Sequence, residues 1–197
     1  QNGTTRLLFT RVPHFKEIIV MSFDCEHCGF KNQEVQFGGT FGEKGLHFVL
    51  NVTNEKDLNR QLVKSDSAVI TIPELDFEIP AGTQKGTLNT LEGVFDKAIE
   101  GLLDQQPVRK LMDPENAEKI EQFVENLRKR CLEFSEGPYT VILDDPAGNS
   151  NVENLCAPND DPQLKVTSYT RTKEQNSALG LGLVEEDVLE PDRELPR

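Results

Sequence analysis

The sequence predicts a mainly β protein that is interrupted by a pair of helices and preceded by a small cysteine-containing finger. Short stretches of β-branched and aromatic residues flank a central segment (about 88–135) whose apolar residues recur at helical spacing. A Cys-x-x-Cys pair, Cys25 and Cys28, lies in the first part of the chain. With 197 residues, the chain is long enough to bury a sizeable core.

The first strands come in pairs. β-Branched and aromatic residues crowd TRLLFTRVPHFKEIIVMSFD (5–24), and Pro13 divides this run into two strands. After turn-forming glycines, LHFVLNVT (46–53) and LNRQLVKSD (58–66) have strand character, and we expect them to pair with each other. AVITIPELDFEIP (68–80) predicts a further short pair.

Two helices follow in the central segment. Apolar residues at positions 88, 91, 95, 98 and 102 predict a helix over about 90–104, with Asn89 and Glu92 as a capping box. A second helix begins at Asp113 and Pro114 and runs for roughly 20 residues. Its apolar stripe consists of Ile120, Phe123, Val124, Leu127, Cys131 and Phe134. Joined by a short connection, the two helices form an antiparallel hairpin with apolar faces to bury.

Strand character returns in PYTVIL (138–143) and LKVTSYT (164–170), so the hairpin interrupts one β domain. A β domain with a helical insertion favours a double-stranded β-helix, a jelly-roll-like fold. The predicted domains are a partial finger (1–40), the double-stranded β-helix with its hairpin (41–182) and an acidic linker or tail (183–197).

The charge of the chain limits its partners. A formal charge of −13 disfavours general binding to phosphate backbones. The densest basic run, at 128–130, lies on a predicted helix that also carries glutamates. No apolar run approaches the ~20 residues that a membrane helix needs. We therefore expect a soluble intracellular protein that binds neither nucleic acid nor membrane.

The Cys25-Glu-His-Cys28-Gly sequence has the spacing of a zinc knuckle, in which backbone N–H groups point at two thiolates. The alternative is a pair of buried or redox-active cysteines. We interpret His27 as a spacer, and Cys131 and Cys156 as lone thiols far along the chain. A tetrahedral site would therefore need two further ligands.

Other candidate sites carry less chemistry. No His-x-Asp or His-x-Glu pair exists, so the iron centre of a β-helix oxygenase is not expected. DDPAGNS (144–150) has the side chains of a cation or phosphate site, but a tight loop stabilised by its own Asp and Asn side chains explains it as well. No Ser/His/Asp arrangement is recognisable, which predicts a protein that is not an enzyme.

Several stretches together resemble the ZPR-type zinc-finger proteins. These stretches are NGTTRLL (2–8), PHFKEIIVMSFDCEHCG (13–29), PELDFEIP (73–80), KGTLNTLEG (85–93), DQQPVR (104–109), DDPAGNS (144–150) and SYTRTKEQNSALGLG (168–182). Proteins of that family carry two tandem copies of a four-cysteine finger and a double-stranded β-helix with a helical hairpin, and this chain resembles the first copy. The resemblance implies a zinc cofactor held by Cys25, Cys28 and two cysteines upstream of Gln1, so that the site is incomplete in this chain.

The same resemblance implies binding to translation elongation factor 1-alpha, assistance in its folding, and a location in the cytoplasm and nucleus. In animals, the cytoplasmic regions of receptor tyrosine kinases are further implied partners. We expect a non-enzymatic protein-binding unit that contacts its partner through outward residues of the hairpin. These candidates are Arg109, Lys110, Glu118, Glu125 and Arg128. The alternative is a small-ligand-binding or enzymatic β-helix that uses the DDPAGNS loop.

Overall fold

The computed structural model describes residues 3–12, 16–37 and 41–181. Its strands are β1 (Thr4–Arg11), β2 (Glu17–Asp24), β3 (Lys31–Phe37), β4 (Gly45–Val52), β5 (Gln61–Lys64), β6 (Val69–Ile72), β7 (Phe77–Ile79), β8 (Thr87–Thr90), β9 (Tyr139–Asp145), β10 (Asn151–Val152) and β11 (Leu164–Tyr169). Its helices are α1 (Glu55–Leu58), α2 (Leu91–Leu103), α3 (Gln106–Met112), α4 (Pro114–Leu127) and α5 (Lys173–Ala178). A 3₁₀ turn (Pro73–Leu75) precedes β7, and a π-helical turn (Arg128–Leu132) extends α4.

The finger is a three-stranded antiparallel sheet in the order β1-β2-β3. Thr4 pairs with Asp24 and Arg11 with Glu17, so the two strands predicted on either side of Pro13 form one hairpin. Strand β2 then pairs with β3 across the Cys-x-x-Cys turn. The predicted strands are therefore confirmed, and they place the cysteine pair at one end of the sheet.

The predicted jelly roll is confirmed as two sheets, one in the order β11-β4-β9-β6-β7 and the other in the order β10-β5-β8. The predicted pairing of 46–53 with 58–66 is wrong. Strand β4 pairs with β9 and β11, whereas β5 pairs with β8 and β10 in the other sheet. The short helix α1, capped by Asn54, separates them and includes Leu58, so the chain crosses between sheets. The short pair β6 and β7 forms as predicted.

The helical insertion contains three helices, not two. Helix α2 agrees with the prediction, but its N-cap is Thr90, whose side chain accepts a hydrogen bond from the Gly93 N–H, and not the predicted Asn89. The predicted connection contains α3, which begins just before Pro107 because a proline in the first turn gives up no helical hydrogen bond. Helix α4 begins after the cap Asp113 as predicted.

The space between the sheets is filled by apolar side chains. The predicted stripes of both long helices pack into it, except Leu88, which lies on β8 and packs in a second apolar cluster. The Phe77 and Phe123 rings lie 5.2 Å apart between their centroids. Cys131 is completely buried there, and the Tyr139 hydroxyl donates to its carbonyl oxygen at 2.9 Å. The helical insertion is therefore continuous with the jelly-roll core.

The finger sheet packs against the smaller sheet of the jelly roll. Along β5, Leu62 faces the main core while Val63 contacts the finger residues Ile18 and Val35, as the alternation of a strand requires. The Val35 N–H also donates to the Gly86 carbonyl at 2.6 Å. A second apolar cluster thus joins finger and jelly roll.

Helix α5, which was not predicted from the sequence, is held against the jelly roll by hydrogen bonds from Arg171. Its guanidinium donates to the carbonyls of Gly42 at 2.7 Å, Pro146 at 3.0 Å and Glu43 at 3.1 Å, and to the Asn176 side chain at 3.0 Å. The predicted acidic tail (183–197) lies outside the described residues. Among the described helices, none has the length and apolarity to cross a membrane.

Candidate functional site

The turn between β2 and β3 positions the cysteine pair. The Gly29 N–H donates to the Cys25 carbonyl at 2.8 Å, and the Cys25 N–H donates to the Phe30 carbonyl at 2.9 Å. Gly29 has φ +73°, a conformation that glycine adopts without strain. Cys25 is buried and Cys28 is exposed, so the pair lies at the surface of the finger.

The environment of this pair suits a thiolate. Hydrogen bonding from the Cys28 N–H, followed by the Cys28 side chain and the His27 N–H, lowers the pKa of the Cys25 thiol. N–H groups aimed at a sulfur are what a zinc knuckle provides, and His27 itself is exposed, as expected of a spacer. The donor set therefore fits half of a four-cysteine zinc site.

The other two cysteines stay apart from the pair. Cys131 is buried in the jelly-roll core, where burial raises the pKa of its thiol to about 12, and Cys156 is exposed in the loop before β11. Across residues 3–12, 16–37 and 41–181, no group of three or more His, Cys, Asp or Glu side chains is placed to hold a metal ion. The structure thus agrees with the interpretation of Cys131 and Cys156 as lone thiols.

The DDPAGNS stretch uses its polar groups within the fold. Asp144 and Asp145 end β9, and Asp145 is completely buried. The Asp145 carboxylate accepts hydrogen bonds from the Ser65 and Ser67 hydroxyls at 2.7 and 2.8 Å, and from the N–H groups of Ala147 and Asn149 at 2.9 and 2.8 Å. With four donors already bound, Asp145 is a structural acceptor, which favours the interpretation as a tight loop.

A buried ion cluster around Arg60 was not foreseen. Arg60 lies 2.8 Å from Asp57 and 2.5 Å from Asp161, and both carboxylates are buried with it. Its guanidinium also donates to the Glu153 carbonyl at 2.9 Å and to the Gln163 side chain at 3.0 Å. The cluster connects the loop before β11 to α1, which lies more than ninety positions earlier in the sequence. No local sequence pattern predicts a contact over such a separation.

Of the five charged residues predicted to face a partner, two form ion pairs at the surface of the insertion. Lys110 pairs with Glu121 at 2.5 Å, and Glu125 pairs with Lys129 at 3.2 Å. Glu118 and Arg128 are exposed. These four residues therefore lie outward, as predicted.

Arg109 is placed differently from the prediction. It is half-buried, and its guanidinium donates to the Leu102 carbonyl and to the Gln106 side chain, both at 2.9 Å. An arginine there binds an otherwise unpaired carbonyl at the end of α2. Arg109 therefore caps the C-terminal end of α2. Helix α3, which was not predicted, directs the Arg109 side chain toward that end.

Helix α3 instead exposes apolar side chains, which the sequence analysis missed. Val108, Leu111 and Met112 have exposed fractions of 58%, 87% and 82%. Their spacing of i, i+3 and i+4 places them on one helical face, and this pattern was the available signal. Because α3 packs chiefly against α4, this apolar tip (Val108, Leu111 and Met112) lies outside the jelly-roll core.

Comparison with known proteins agrees with the two structural parts. A family model described as the ZPR1 jelly-roll domain matches residues 56–181, and one described as the ZPR1 zinc-finger domain matches residues 1–43. The chain belongs to the ZPR1 family. The resemblance predicted from the sequence is therefore confirmed.

Relatives in this family are spread across eukaryotes and archaea. Zinc finger protein ZPR1 of Mus musculus is 49% identical over 181 residues, covering 92% of this chain and 39% of that protein. The zinc finger chaperone zpr1 of Schizosaccharomyces pombe is 40% identical over 181 residues, covering 92% of this chain and 38% of the relative. An uncharacterised ZPR1-like protein of Pyrococcus horikoshii is 32% identical over 190 residues, covering 95% and 78%. The chain thus spans about two-fifths of the length of its eukaryotic relatives, 39% in the mouse protein.

Proposed function

We propose that this chain is a non-enzymatic protein-binding unit that binds translation elongation factor 1-alpha and assists its folding. The partner comes from the family resemblance, and the chaperone role agrees with the description of the fission yeast relative as a zinc finger chaperone. The packed interior of the jelly roll and the internal hydrogen bonds of the DDPAGNS loop are those of a rigid scaffold. The scaffold would hold the finger and the helical insertion for contact with the partner.

The observation that carries this proposal is the apolar tip of α3. Leu111 and Met112 expose more than four-fifths of their surface and lie outside both apolar clusters of the fold. Exposed, clustered apolar side chains on a short supported helix are typical of protein–protein contacts, and methionine adapts to an irregular partner surface. A folding factor must contact apolar surface that its client has not yet buried.

The acidic character of the chain supports a basic partner surface around this contact. The formal charge is −13, and exposed acidic residues such as Glu115 and Glu118 lie on α4 beside α3. Charge complementarity of this kind accelerates encounter and is weakened by salt. The predicted residues Lys110, Glu118, Glu125 and Arg128 would then form the rim of the contact.

In this proposal, zinc is held by Cys25, Cys28 and two further cysteines, and it stabilises the small finger directly. The upstream cysteines are those that the family resemblance places before Gln1. Metal content would be measured on a chain extended to include them, where about one zinc per finger is expected. A Cys25→Ser, Cys28→Ser double variant that retains full zinc content would refute the assignment.

The binding proposal is tested by titrating purified elongation factor 1-alpha with this chain in a calorimeter at several salt concentrations. Saturable binding that weakens as salt increases is expected. A refolding assay on denatured elongation factor would show whether the chain raises the recovered fraction. If the factor neither binds the chain nor refolds better in its presence, the proposed function is wrong.

A further inference from the structure

Strand β1 is an edge of the finger sheet and, within the part of the chain that the structure describes, pairs with β2 alone. The pairing runs from Thr4 opposite Asp24 to Arg11 opposite Glu17. Every second residue of an antiparallel strand directs its N–H and C=O away from its neighbour, so β1 presents a row of backbone donors and acceptors along its outer side. Such an edge can accept a further strand.

The side chains of β1 make this edge apolar as well. Leu7, Leu8 and Phe9 have exposed fractions of 58%, 62% and 74%. Leu7 and Phe9 share one face of the sheet, whereas Leu8 lies on the other. Strand β2 extends the face of Leu7 and Phe9 with two half-buried apolar residues, Met21 and Ile19. A strand added beside β1 would therefore cover apolar side chains on both faces of the sheet.

The edge also carries positive charge. Strand β1 contains Arg6 and Arg11, both exposed, and no acidic residue. Neither arginine forms an ion pair with another described residue. Glu17, opposite Arg11, offsets part of that charge, but the residue opposite Arg6 is neutral. The remaining acidic residues of β2 and β3 are already in ion pairs, Asp24 with Lys31 and Glu34 with Lys85.

An acidic strand with apolar residues matches this edge better than a second copy of β1. Pairing two β1 strands would add two more arginines without a carboxylate, and like charges brought close across strands destabilise a pair. The acidic tail (183–197), LVEEDVLEPDRELPR, has the required character. It contains six acidic and two basic residues, and leucines and valines lie among them.

The described chain ends close to the finger sheet. Leu179, just after α5, borders the same cleft as Phe37 of β3. The strand register leads from Phe37 through β2 to Thr10, so the tail departs from the Arg11 end of β1. A tail that follows β1 from there toward Thr4 runs antiparallel to it.

The tail is also long enough for this path. Neighbouring strands lie about 4.8 Å apart, so β1 is about 10 Å beyond β3. Residues 182–197 reach up to about 50 Å when extended. Pairing along all of β1 uses about 27 Å of that length, which leaves about 20 Å for the approach.

We propose that the acidic tail (183–197) pairs with β1 as a fourth strand of the finger sheet. Its carboxylates lie beside Arg6 and Arg11, and its leucine and valine side chains cover Leu7, Leu8 and Phe9. The contact protects an apolar edge that would otherwise be open to strands of other molecules. The proposal does not depend on which protein the helical insertion binds.

The test measures amide hydrogen exchange and NOE cross-peaks by NMR on the whole isotope-labelled chain. We expect tail amides to exchange more slowly than those of a free peptide with the sequence of 183–197, and to give cross-peaks to β1. Exchange at the rate of the free peptide, or cross-peaks from the tail to another part of the chain, would overturn the proposal. Protection of β1 that increases with protein concentration would also overturn it, because it would indicate pairing with a second copy.

Matched variants separate this contact from general charge attraction. Arg6→Gln combined with Arg11→Gln should raise the exchange rates of the tail amides about two- to five-fold, as expected for exposed ion pairs. Arg128→Gln combined with Lys165→Gln removes two exposed basic residues elsewhere and should leave these rates unchanged. Cross-peaks between β1 and β2 verify that each variant keeps the finger sheet.

Neutralising the tail gives the same test without a change in the finger. A variant with Glu185→Gln, Glu186→Gln and Asp187→Asn should lose tail protection to a similar extent, and it decides the matter if the arginine variant disturbs β1. Unchanged exchange in the neutralised tail, or an equal effect of the control pair, would contradict the proposed contact.

Discussion

The jelly roll buries charged side chains, whereas the helical insertion exposes apolar ones. Arg60 and Lys64 are enclosed in the jelly roll, and Leu111 and Met112 stand at the surface of α3. Each buried charge is held by hydrogen bonds within the fold, which explains its presence by folding alone. The apolar side chains of α3 have no such contacts in the fold, and they leave an apolar surface on the insertion.

The largest expected effect is at Arg60. Arg60→Met leaves the Asp57 and Asp161 carboxylates buried without their counter-ion, and such a loss costs about 3–5 kcal/mol. Urea denaturation would measure the free energy of unfolding, with Arg128→Met as the exposed control. A loss no greater than that of the control would show that the cluster does not support the jelly roll.

Asp145 tests whether the DDPAGNS loop is structural. Asp145→Asn replaces one acceptor oxygen by an amino group facing the Asn149 N–H and removes a negative charge near Lys64, so we expect a loss of about 1–3 kcal/mol. Asp144→Asn, which alters a partly exposed carboxylate on the outer face, should cost less. If the two variants are equally stable, the hydrogen bonds to Asp145 contribute little to the stability of the fold, and the loop is again a candidate ligand site.

The ion cluster also predicts a loss of stability in acid. Burial opposes ionisation of Asp57 and Asp161, but Arg60 and nearby N–H groups outweigh it and lower the pKa of both carboxyls. Their stabilisation is therefore present above the unfolded-state carboxyl pKa of about 4 and is lost as pH falls through the lower folded-state values. Denaturation measured from pH 6 to 2 should show this loss, and Asp161→Asn should make the pH dependence shallower. An unchanged pH dependence in this variant would show that groups other than the ion cluster cause the loss of stability in acid.

The smallest effects on stability are expected at the outward charges of the insertion. Changing Lys110, Glu118, Glu125 or Arg128 to Ala removes exposed groups, and each should alter the free energy of unfolding by no more than about 0.5 kcal/mol. Arg109→Ala should cost more because Arg109 caps the end of α2. Thermal unfolding of the five variants would check this order, and equal losses would mean that the cap contributes nothing.

The sequence predicts those parts of this fold that depend on local periodicity. The apolar stripe of α4 identifies this helix, because a face buried against one core must repeat with the period of the backbone. The pairing of β4 with β9 and not with β5 depends on contacts between residues 87 to 99 positions apart, which no local pattern contains. Helix α3 was missed because Pro107 was interpreted as part of a connection.

The candidate sites likewise divide into those that depend on local sequence and those that depend on contacts between distant residues. The spacing of Cys25 and Cys28 predicts a knuckle because such a turn is local, and hydrogen bonding from the Cys28 and His27 N–H groups lowers the pKa of the Cys25 thiol. The partners of Arg60 lie at positions 57 and 161, so the cluster is visible only after folding. The orientation of Arg109 likewise depended on a helix that the sequence analysis did not include.

The most direct test of the contrast is to remove the apolar tip without altering the fold. A Leu111→Ser, Met112→Ser double variant would be titrated against elongation factor 1-alpha beside Leu155→Ser, which changes an exposed leucine of the jelly roll. We expect the double variant to unfold like the parent and to lose about 2 kcal/mol of binding free energy or more, roughly 30-fold in affinity, while the control binds normally. Unchanged affinity of a folded double variant would contradict the assignment of the insertion as the contact surface.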